Sequence, residues 1–128
     1  MKVTLLAPTL NEITAVQAVL PKIKKEWVDE IIVVDGGSTD GTIEYCKEQG
    51  YLVHAQRGRG YGTGMNQGSE IATGDFVIEF PPDGNSLPEK IPEVVAKLAE
   101  GYDFVIASRY KAGAKSYDDD FLTSKGNW

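Results

Sequence analysis

The stretch IIVVDGGSTDGT, which runs from Ile31 to Thr42, constrains the fold more than any other part of the sequence. Its consecutive Ile and Val residues predict a strand that is buried on both faces, as in a parallel sheet covered by helices. The strand ends at Asp35 and leads into a polar turn rich in glycine. Because ligands of such sheets bind beyond the carboxyl ends of the strands, Asp35 marks a candidate site.

Apolar runs and helical patterns alternate along most of the chain. Strands are predicted at Val3–Ala7, Ile31–Asp35, Leu52–Ala55, Asp75–Phe80 and Asp103–Ala107. Helices are predicted over residues 13–20, 42–49, 65–72 and after the capping-box pattern Ser86-Leu87-Pro88-Glu89, with Asn11 and Asp40 as N-caps of the first two. This alternation predicts an α/β fold, a three-layer, doubly wound and mostly parallel sheet with right-handed crossovers.

A chain of 128 residues predicts a single domain, with a regular core over residues 1–110 and an irregular tail over residues 111–128. The net charge of −6 argues against general nucleic-acid binding, which requires a basic face. Cys46 is the only cysteine, so no intrachain disulfide forms, and a cytoplasmic location is expected. Neither a signal peptide nor a membrane span is expected, because no apolar run is long enough.

Polar clusters follow three of the predicted strands. They are Pro8–Glu12, Asp35–Asp40 and Pro81–Asn85, and a glycine-rich segment, Gln56–Gly64, precedes the third helix. Because carboxyl ends of parallel strands meet at one edge of a sheet, we expect all four stretches to lie together. Their convergence predicts a ligand site at that edge.

Both acids of the second cluster allow two interpretations. Asp35 either accepts hydrogen bonds from a base edge or a ribose, or holds its own turn through backbone N–H groups. Asp40 either caps the next helix, which the pattern favours, or contacts a ligand.

The glycine-rich segment offers backbone N–H groups, a helix N-terminus and the charges of Arg57 and Arg59. Those features suit a diphosphate. The segment matches neither the dinucleotide fingerprint nor the P-loop pattern, so a mobile surface loop is the alternative.

Asp83 lies in a short loop after a predicted strand and is a candidate ligand of a divalent cation, with Asn85 as a helper. A plain Pro-Asp-Gly turn is the alternative.

Other reactive residue types favour structural interpretations. His54 lies in a short predicted strand, and Cys46 lies on an apolar helix face. The acidic run Asp118–Asp120 is typical of solvated surface, with metal or acceptor binding as the less favoured interpretation.

Taken together, these motifs resemble those of the family 2 glycosyltransferases, in particular the branch of the polyprenol-phosphate sugar synthases, such as the dolichyl-phosphate mannose synthases. APTLNE resembles the family's PxYNE, and IIVVDGGSTDGT resembles its VVDDGSxDGT. GYGTGMNQGSEIATGDFVIEF resembles the family's glycine-rich loop, helix and fourth strand. YDFVIASRY resembles a segment that ends in an Arg-Tyr pair, and TSKGNW resembles the start of the next helix.

This resemblance implies a GT-A fold, Rossmann-like in its nucleotide-binding half. It implies transfer of a sugar, with inversion, from a UDP- or GDP-sugar to an acceptor such as a polyprenyl phosphate, with help from Mg²⁺ or Mn²⁺. Asp83 would hold the metal, and Arg109 would bind a phosphate of donor or acceptor. The nucleotide and its diphosphate would be lined by Pro8, Thr9, Asn11, Glu12, Asp35, Gly36, Gly37, Ser38, Gly60, Gly62, Gly64, Asn66 and Pro82.

The sequence departs from the family pattern at three places. The family's D-x-D metal motif is Pro81-Pro82-Asp83 here, so one carboxylate is absent. The family's paired acids are Asp35-Gly36. The acceptor half of the catalytic domain is expected beyond Trp128, as are any membrane anchors, so a full-length protein is expected to lie peripherally at the inner membrane face.

Two rival functions follow from the same residues. A sugar nucleotidyltransferase would carry a basic glycine-rich motif after the first strand, where this chain has PTLNE. A non-catalytic nucleotide-binding or interaction module is consistent with the single carboxylate at Asp83.

Overall fold

The computed structural model of the chain describes residues 1–107 and 121–125. Arg109 and the acidic run Asp118–Asp120 lie outside the described residues. Contacts divide the chain into two units, Met1–Ser86 and Leu87–Trp128. The single domain expected from the sequence stays a prediction.

The first unit alternates strands with helices, as the sequence predicts. In chain order it contains β1 (Val3–Thr9), α1 (Ile13–Val19), β2 (Glu30–Asp35), α2 (Thr42–Glu48), β3 (Leu52–Ala55), α3 (Tyr61–Ile71) and β4 (Phe76–Glu79). Two short 3₁₀ turns, Leu20–Lys22 and Lys25–Trp27, connect α1 to β2. Pro21 lies in the first of these turns, where its missing N–H ends the regular helix.

The strands of this unit form one parallel sheet in the order β3-β2-β1-β4. Thr9, near the end of β1, pairs with Asp35 at the end of β2, and Asp35 pairs in turn with Ala55 at the end of β3. The carboxyl ends of the strands therefore lie side by side, and we name this side of the sheet the carboxyl edge.

Helices cover both faces of the sheet. Leu6, Ile32 and Val34 form a buried cluster with Met65 of α3 on one face. Side chains alternate along a strand, so Asp35 points to the other face. There α1 and α2 contact each other, and burial and then the charge of Asp35 raise the pKa of the Cys46 thiol in α2 to about 11. This arrangement confirms the three-layer, doubly wound fold and the core position of Cys46.

The opposite edge of the sheet is held by carboxylates. Asp75 accepts a hydrogen bond from the N–H of Lys2 at 2.9 Å, and Asp29 accepts one from Val3 at 2.7 Å. Glu30 accepts one from the Thr4 hydroxyl at 2.7 Å. A backbone hydrogen bond from Thr73 is the main cause that lowers the pKa of Glu30. These acids fix where β1 begins.

The start of α3 differs from the prediction. The helix begins at Tyr61 rather than at Met65, so Gly62 and Gly64 lie within it. A Cβ on Gly68 would lie 2.9 Å from Val34, which shows how closely α3 approaches the sheet. Packing of this kind overrides the low helix propensity of glycine.

The second unit contains a 3₁₀ turn (Pro88–Lys90), α4 (Ile91–Ala99), β5 (Tyr102–Ala107) and β6 (Phe121–Lys125). The capping box is not formed, because Leu87 occupies the N-cap of the 3₁₀ turn and no side chain caps it. The fifth strand, β5, pairs with β6 in an antiparallel two-stranded sheet rather than joining the parallel sheet.

The segment around TSKGNW also differs from the expectation of a helix start, since Thr123, Ser124 and Lys125 lie in β6. The residues that precede them, Phe121 and Leu122, pair with Ala107 and Ile106 of β5. An available partner strand with apolar residues on it favours extended pairing over a new helix. Within the described part of the chain, no helix has the length and apolar character needed to span a bilayer.

Candidate functional site

Two loops at the carboxyl edge are bonded to each other. They are the β1–α1 loop, residues 10–12, and the β2–α2 loop, residues 36–41, and we name them the loop pair. The N–H of Gly36 donates to the carbonyl of Thr9 at 2.9 Å. The N–H of Asn11 donates to Ser38 Oγ at 2.8 Å, and Asn11 Oδ1 accepts from the N–H of Thr39 at 2.8 Å. The loop pair is therefore one hydrogen-bonded body.

Asp35 is the centre of this network. Its side chain is 1% exposed and accepts four hydrogen bonds from its own chain. Oδ1 accepts from the hydroxyls of Thr9 at 2.6 Å and Ser38 at 2.7 Å. Oδ2 accepts from the N–H groups of Gly37 at 2.8 Å and Ser38 at 2.7 Å. The carboxylate thus holds the turn, as the second interpretation of Asp35 expects.

The charge of Asp35 is stabilised despite its burial. Burial on its own raises the pKa of this carboxyl, but the hydrogen bonds from Ser38, Thr9 and Gly37 outweigh it, so the pKa is lowered. A carboxylate offers about four acceptor positions, and all are used here. Contact with a nucleotide base would require an exchange of one of these bonds, and that contact stays a prediction.

Asp40 joins the starts of two helices. Its Oδ2 accepts from the N–H of Ile13, the first residue of α1, at 3.0 Å. Its Oδ1 accepts from the N–H of Thr42, the first residue of α2, at 3.1 Å, and from the Thr42 hydroxyl at 2.6 Å. Gly41 rather than Asp40 occupies the N-cap position of α2. Asp40 therefore caps α2 as predicted, but it does so from the residue before the N-cap position.

The predicted cap of α1 is wrong. Glu12 occupies the N-cap position of that helix, and its own side chain makes no capping hydrogen bond. Asn11 has a φ of 50°, a conformation that asparagine tolerates better than most residues. Its side chain is therefore turned to the β2–α2 loop instead of to α1.

The glycine-rich segment is shaped by two glutamines. Only residues 56–60 lie outside the helix, and we name them the β3–α3 loop. The N–H of Gln56 donates to the carbonyl of Asp35 at 2.8 Å, which places this loop beside the loop pair. The side chain of Gln56 donates to the carbonyls of Gly58 at 3.2 Å and Gly60 at 2.9 Å. Gln67 of α3 binds the backbone of Arg57 from the other side.

The loop after β4, residues 81–85, carries Asp83 on a tight turn, and we name it the Asp83 loop. The N–H of Asn85 donates to Asp83 Oδ1 at 2.9 Å, and Gly84 has a φ of 90°. Pro82 is buried, whereas Asp83 is half-buried. The turn that the alternative interpretation expects is therefore present, and it leaves Asp83 Oδ2 without a hydrogen-bond partner among the described residues.

The oxygen ligands that Asp83 offers fit only a metal ion that is also bound by the phosphates of a nucleotide. No group of three His, Cys, Asp or Glu side chains in residues 1–107 and 121–125 is arranged to hold an ion. Mg²⁺ and Mn²⁺ prefer oxygen ligands, and Mg²⁺ is often held by one or two carboxylates together with phosphates and water. A single carboxylate with one open oxygen is compatible with that mode.

A contact that the sequence did not predict joins α3 to β4. The hydroxyl of Tyr61, the first residue of α3, donates to Glu79 Oε1 at 2.7 Å, and Glu79 is the last residue of β4. The contact ties the β3–α3 loop to the strand that carries the Asp83 loop.

The structure brings most of the predicted nucleotide residues to the carboxyl edge. Direct hydrogen bonds connect Thr9, Asn11, Asp35, Gly36, Gly37 and Ser38. Half-buried Pro8 and exposed Glu12 flank this group along the chain. Gly60, Gly62, Gly64 and Asn66 belong to the end of the β3–α3 loop and to α3. A shallow depression beside the start of α1 includes Asn11, Glu12 and Asp40 but neither Asp35 nor Asp83.

The sequence of most of the chain matches known proteins. Residues 4–124 match the model of glycosyl transferase family 2. Glycosyltransferase AglJ of Haloferax volcanii is 33% identical in an alignment of 109 positions that covers 84% of this chain and 36% of that protein. Dolichol-phosphate mannosyltransferase of Pyrococcus furiosus is 30% identical in an alignment of 137 positions that covers 98% of this chain and 39% of that protein. The chain thus spans well under half the length of these two relatives.

Solved structures agree with the fold. Glucosyl-3-phosphoglycerate synthase from Mycobacterium tuberculosis, in complex with Mn²⁺, UDP and glucosyl-3-phosphoglycerate, has a TM-score of 0.66 and 28% identity. The match covers 76% of this chain and 39% of the synthase. The complex of the same synthase with UDP has a TM-score of 0.67. These matches confirm the GT-A, Rossmann-like fold, and with the family match over residues 4–124 they show that the chain belongs to glycosyl transferase family 2.

Proposed function

We propose that this chain is the donor-binding part of a glycosyltransferase that takes a sugar from a nucleotide-diphospho-sugar. The observation that carries the proposal is the gathering of the loop pair, the β3–α3 loop and the Asp83 loop after neighbouring strands of one parallel sheet. Family membership supports sugar transfer as the reaction. The UDP and Mn²⁺ held by the solved synthase support a nucleoside diphosphate and a divalent metal as the ligands.

The nucleoside would bind at the loop pair. Gly36 is exposed and Gly37 has a φ of 116°, so the backbone offers a ligand close approach without side chains. Pro8, Thr9, Asn11 and Glu12 would form the neighbouring wall. Asp35 keeps this surface in shape, and its carboxylate would reach the base by exchanging one internal hydrogen bond.

The diphosphate would bind where the β3–α3 loop meets α3. The first N–H groups of a helix lack partners within the helix and carry a partial positive charge. Gly60, Gly62 and Gly64 add no side chains to that end of α3, where the hydroxyl of Tyr61 is bonded to Glu79, and Asn66 is exposed on the same helix. Arg57 and Arg59 add positive charge in the adjoining loop.

Asp83, next to buried Pro82, would hold Mg²⁺ or Mn²⁺ through its open oxygen. When bound, the metal would neutralise charge on the departing nucleoside diphosphate, a Lewis-acid role. Asp83 itself would fix the position of the diphosphate relative to β4 and keep one oxygen committed to Asn85.

The acceptor would attack the anomeric carbon from the face opposite the diphosphate. A new bond forms between an acceptor oxygen and the anomeric carbon, the bond from that carbon to the diphosphate oxygen breaks, and the configuration inverts. A polyprenyl phosphate is a fitting acceptor because it is already ionised and needs little help from a base. The relative named a dolichol-phosphate mannosyltransferase supports this choice. Arg109 would bind one of the phosphates, and the full-length protein would act in the cytoplasm, at the inner face of a membrane.

A non-catalytic nucleotide-binding module is the second candidate. The observation that favours it is the single carboxylate of the Asp83 loop, where no acidic cluster forms among the described residues. Such a module would bind the nucleotide with little dependence on metal and would transfer no sugar.

Calorimetry separates these candidates. UDP, GDP, UDP-glucose and GDP-mannose would be titrated into the chain with and without Mn²⁺, alongside Asp83→Asn and the control Glu70→Gln. Asparagine keeps an oxygen for the Asn85 N–H, so the variant removes the charge and leaves the turn. Glu70 is exposed near the carboxyl end of α3, which is remote from the carboxyl edge.

We expect Mn²⁺ to tighten binding of one nucleotide about tenfold or more, and Asp83→Asn to abolish that gain while Glu70→Gln keeps it. Tight binding that ignores both Mn²⁺ and Asp83→Asn would favour the non-catalytic module. Absence of binding for all of these nucleotides would refute donor binding itself.

A further inference from the structure

We propose that Gln67 is a positioning residue that presents Arg57 to the diphosphate of the donor. This inference rests on the proposed function, because it concerns the same site. Arg57 lies outside the motifs that carry the family resemblance, and Gln67 lies in the stretch that resembles the family's glycine-rich loop and helix. The role of Gln67 is inferred from its hydrogen bonds.

Gln67 holds both backbone polar groups of a single residue. Its Oε1 accepts from the N–H of Arg57 at 2.9 Å, and its Nε2 donates to the carbonyl of Arg57 at 2.7 Å. The side-chain amide thus pairs with Arg57 as a neighbouring strand would, although Arg57 lies past the end of β3. Two such bonds fix the direction in which the Arg57 side chain leaves the backbone.

The amide is itself held from the sheet. His54 Nε2 lies 2.8 Å from Gln67 Oε1. Because the Arg57 backbone fixes which end of the amide is oxygen, His54 must provide the hydrogen at Nε2. His54 lies in β3 and Gln67 in α3. The hydrogen bonds of Gln67, which we name the tether, therefore join a strand, a helix and the loop between them.

Close packing of α3 gives Gln67 its reach. A Cβ on Gly64 would collide with Gln56 Oε1, and a Cβ on Gly68 would lie 2.9 Å from Val34. Glycines on either side of Gln67 therefore let the helix approach the sheet and the loop. Gly58 and Gly60, with φ values of 85° and 98°, allow the loop to turn around this point.

The loop delivers Arg57 to the carboxyl edge. Ala55, the last residue of β3, pairs with Asp35, and the N–H of Gln56 donates to the carbonyl of Asp35. Arg57 follows directly, beside the proposed nucleoside surface and before the start of α3. A guanidinium on a fixed backbone binds phosphate with a smaller loss of conformational freedom than one on a mobile loop.

A double-mutant cycle tests the proposal with UDP and GDP as probes. The variants are Gln67→Met, which is similar in size but bonds neither group of Arg57, Arg57→Ala, and the two combined. Gln17→Met is the matched control, since Gln17 is exposed on α1. Uridine and guanosine serve as probes that lack phosphate. Amide hydrogen exchange of Arg57, measured by NMR without ligand, reports on the tether itself.

We expect Arg57→Ala to weaken binding of the nucleoside diphosphate about tenfold or more, and Gln67→Met to weaken it about three- to tenfold. Added to Arg57→Ala, Gln67→Met should cost less than about twofold more, because the residue acts through Arg57. Nucleoside affinity should stay unchanged, and the Arg57 amide should exchange faster in Gln67→Met but not in Gln17→Met.

Additive losses, an equal loss of nucleoside affinity or unchanged exchange at Arg57 would each overturn the proposal. So would Arg57→Ala binding that equals that of the unaltered chain. These results differ from failure of the proposed function, in which the unaltered chain binds none of the nucleotides. Donor binding that survives together with additive losses would sink the positioning role and leave the proposed function standing.

Discussion

Two aspartates lie at the carboxyl edge, Asp35 at the end of β2 and Asp83 in the loop after β4, yet their carboxylates are used in opposite ways. Asp35 is 1% exposed and accepts four hydrogen bonds from its own chain. Asp83 is half-buried and accepts one, from Asn85. Asp35, which lies in the more recognisable motif, is therefore used to hold its own loop. Asp83, whose motif matches the family pattern less well, keeps one oxygen available for a ligand.

The largest expected difference between the two aspartates is in their contribution to the stability of the folded chain. Asp35→Ala removes the acceptor of four donors at once, and buried donors left without partners cost about 1–3 kcal/mol each before relaxation. We expect a loss of about 3 kcal/mol or more in the free energy of unfolding, measured by urea denaturation. Asp83→Ala should cost less than about 0.5 kcal/mol. Equal losses for the two variants would erase the comparison.

Low pH should reduce the stability of the folded chain, in part by protonating the Asp35 carboxylate. The hydrogen bonds lower the pKa of Asp35 in the folded chain relative to its ordinary value of 3.8. Its contribution to stability is therefore complete above the unfolded-state pKa and is lost as the pH falls through the folded-state pKa. The urea midpoint should fall as the pH is lowered from about 5 through the folded-state pKa of Asp35, and fall less in Asp35→Ala.

The pKa values of Glu30 and Asp40 are also lowered, by a backbone bond from Thr73 and by the Thr42 hydroxyl respectively. Some acid sensitivity should thus remain in Asp35→Ala. A variant as sensitive as the unaltered chain would show that Asp35 carries none of the effect.

The loop pair and the Asp83 loop also differ in their asparagines. Asn11 has a φ of 50° and its side chain accepts from Thr39, whereas Asn85 contributes its backbone N–H to Asp83. Asn11→Ala should cost about 1–2 kcal/mol, from backbone strain together with the lost bond. Asn85→Ala should cost almost nothing by the same urea measurement. Asn11→Gly separates the two causes, because glycine removes the bond and relieves the strain.

The smallest effect is expected for Asp83→Asn. Its amide oxygen still accepts from the Asn85 N–H, so the free energy of unfolding should change by less than about 0.5 kcal/mol. The same preparation should lose the gain that Mn²⁺ gives to nucleotide binding. A marked loss of stability would show that Asp83, like Asp35, is committed to its own chain.

The parallel sheet is well predicted from the sequence because the residue types within each strand are enough to identify the strand. Leu5, Leu6, Ile32, Val33 and Val34 are all nearly or fully buried, as continuous apolar runs of a doubly covered sheet should be. The second unit is less predictable. The pairing of β5 with β6 joins residues separated by the stretch 108–120, and no local pattern in Phe121–Lys125 distinguishes a strand from the helix start expected there.

The gathering of the loops at one edge of the sheet was predictable from the sequence, but their hydrogen bonds were not. The carboxyl ends of parallel strands lie at one edge, and the loops that follow these strands lie there as expected. Thr9 and Asp35 are 26 residues apart, however, and only the register of β1 against β2 brings them together. Gln56 and Gln67 escaped notice because glutamine is an ordinary surface and helix residue. Their importance follows from close approach of α3, which glycines at 64 and 68 permit.

Asp40 has a mechanical consequence. One carboxylate receives the first N–H of α1 and the first N–H of α2, so neither helix can slide along the sheet without stretching a charge-assisted hydrogen bond. We therefore expect the two helices to move together on their face of the sheet. For a nucleotide bound at the loop pair, as we propose, any closing movement is then expected in the segments after β3 and β4.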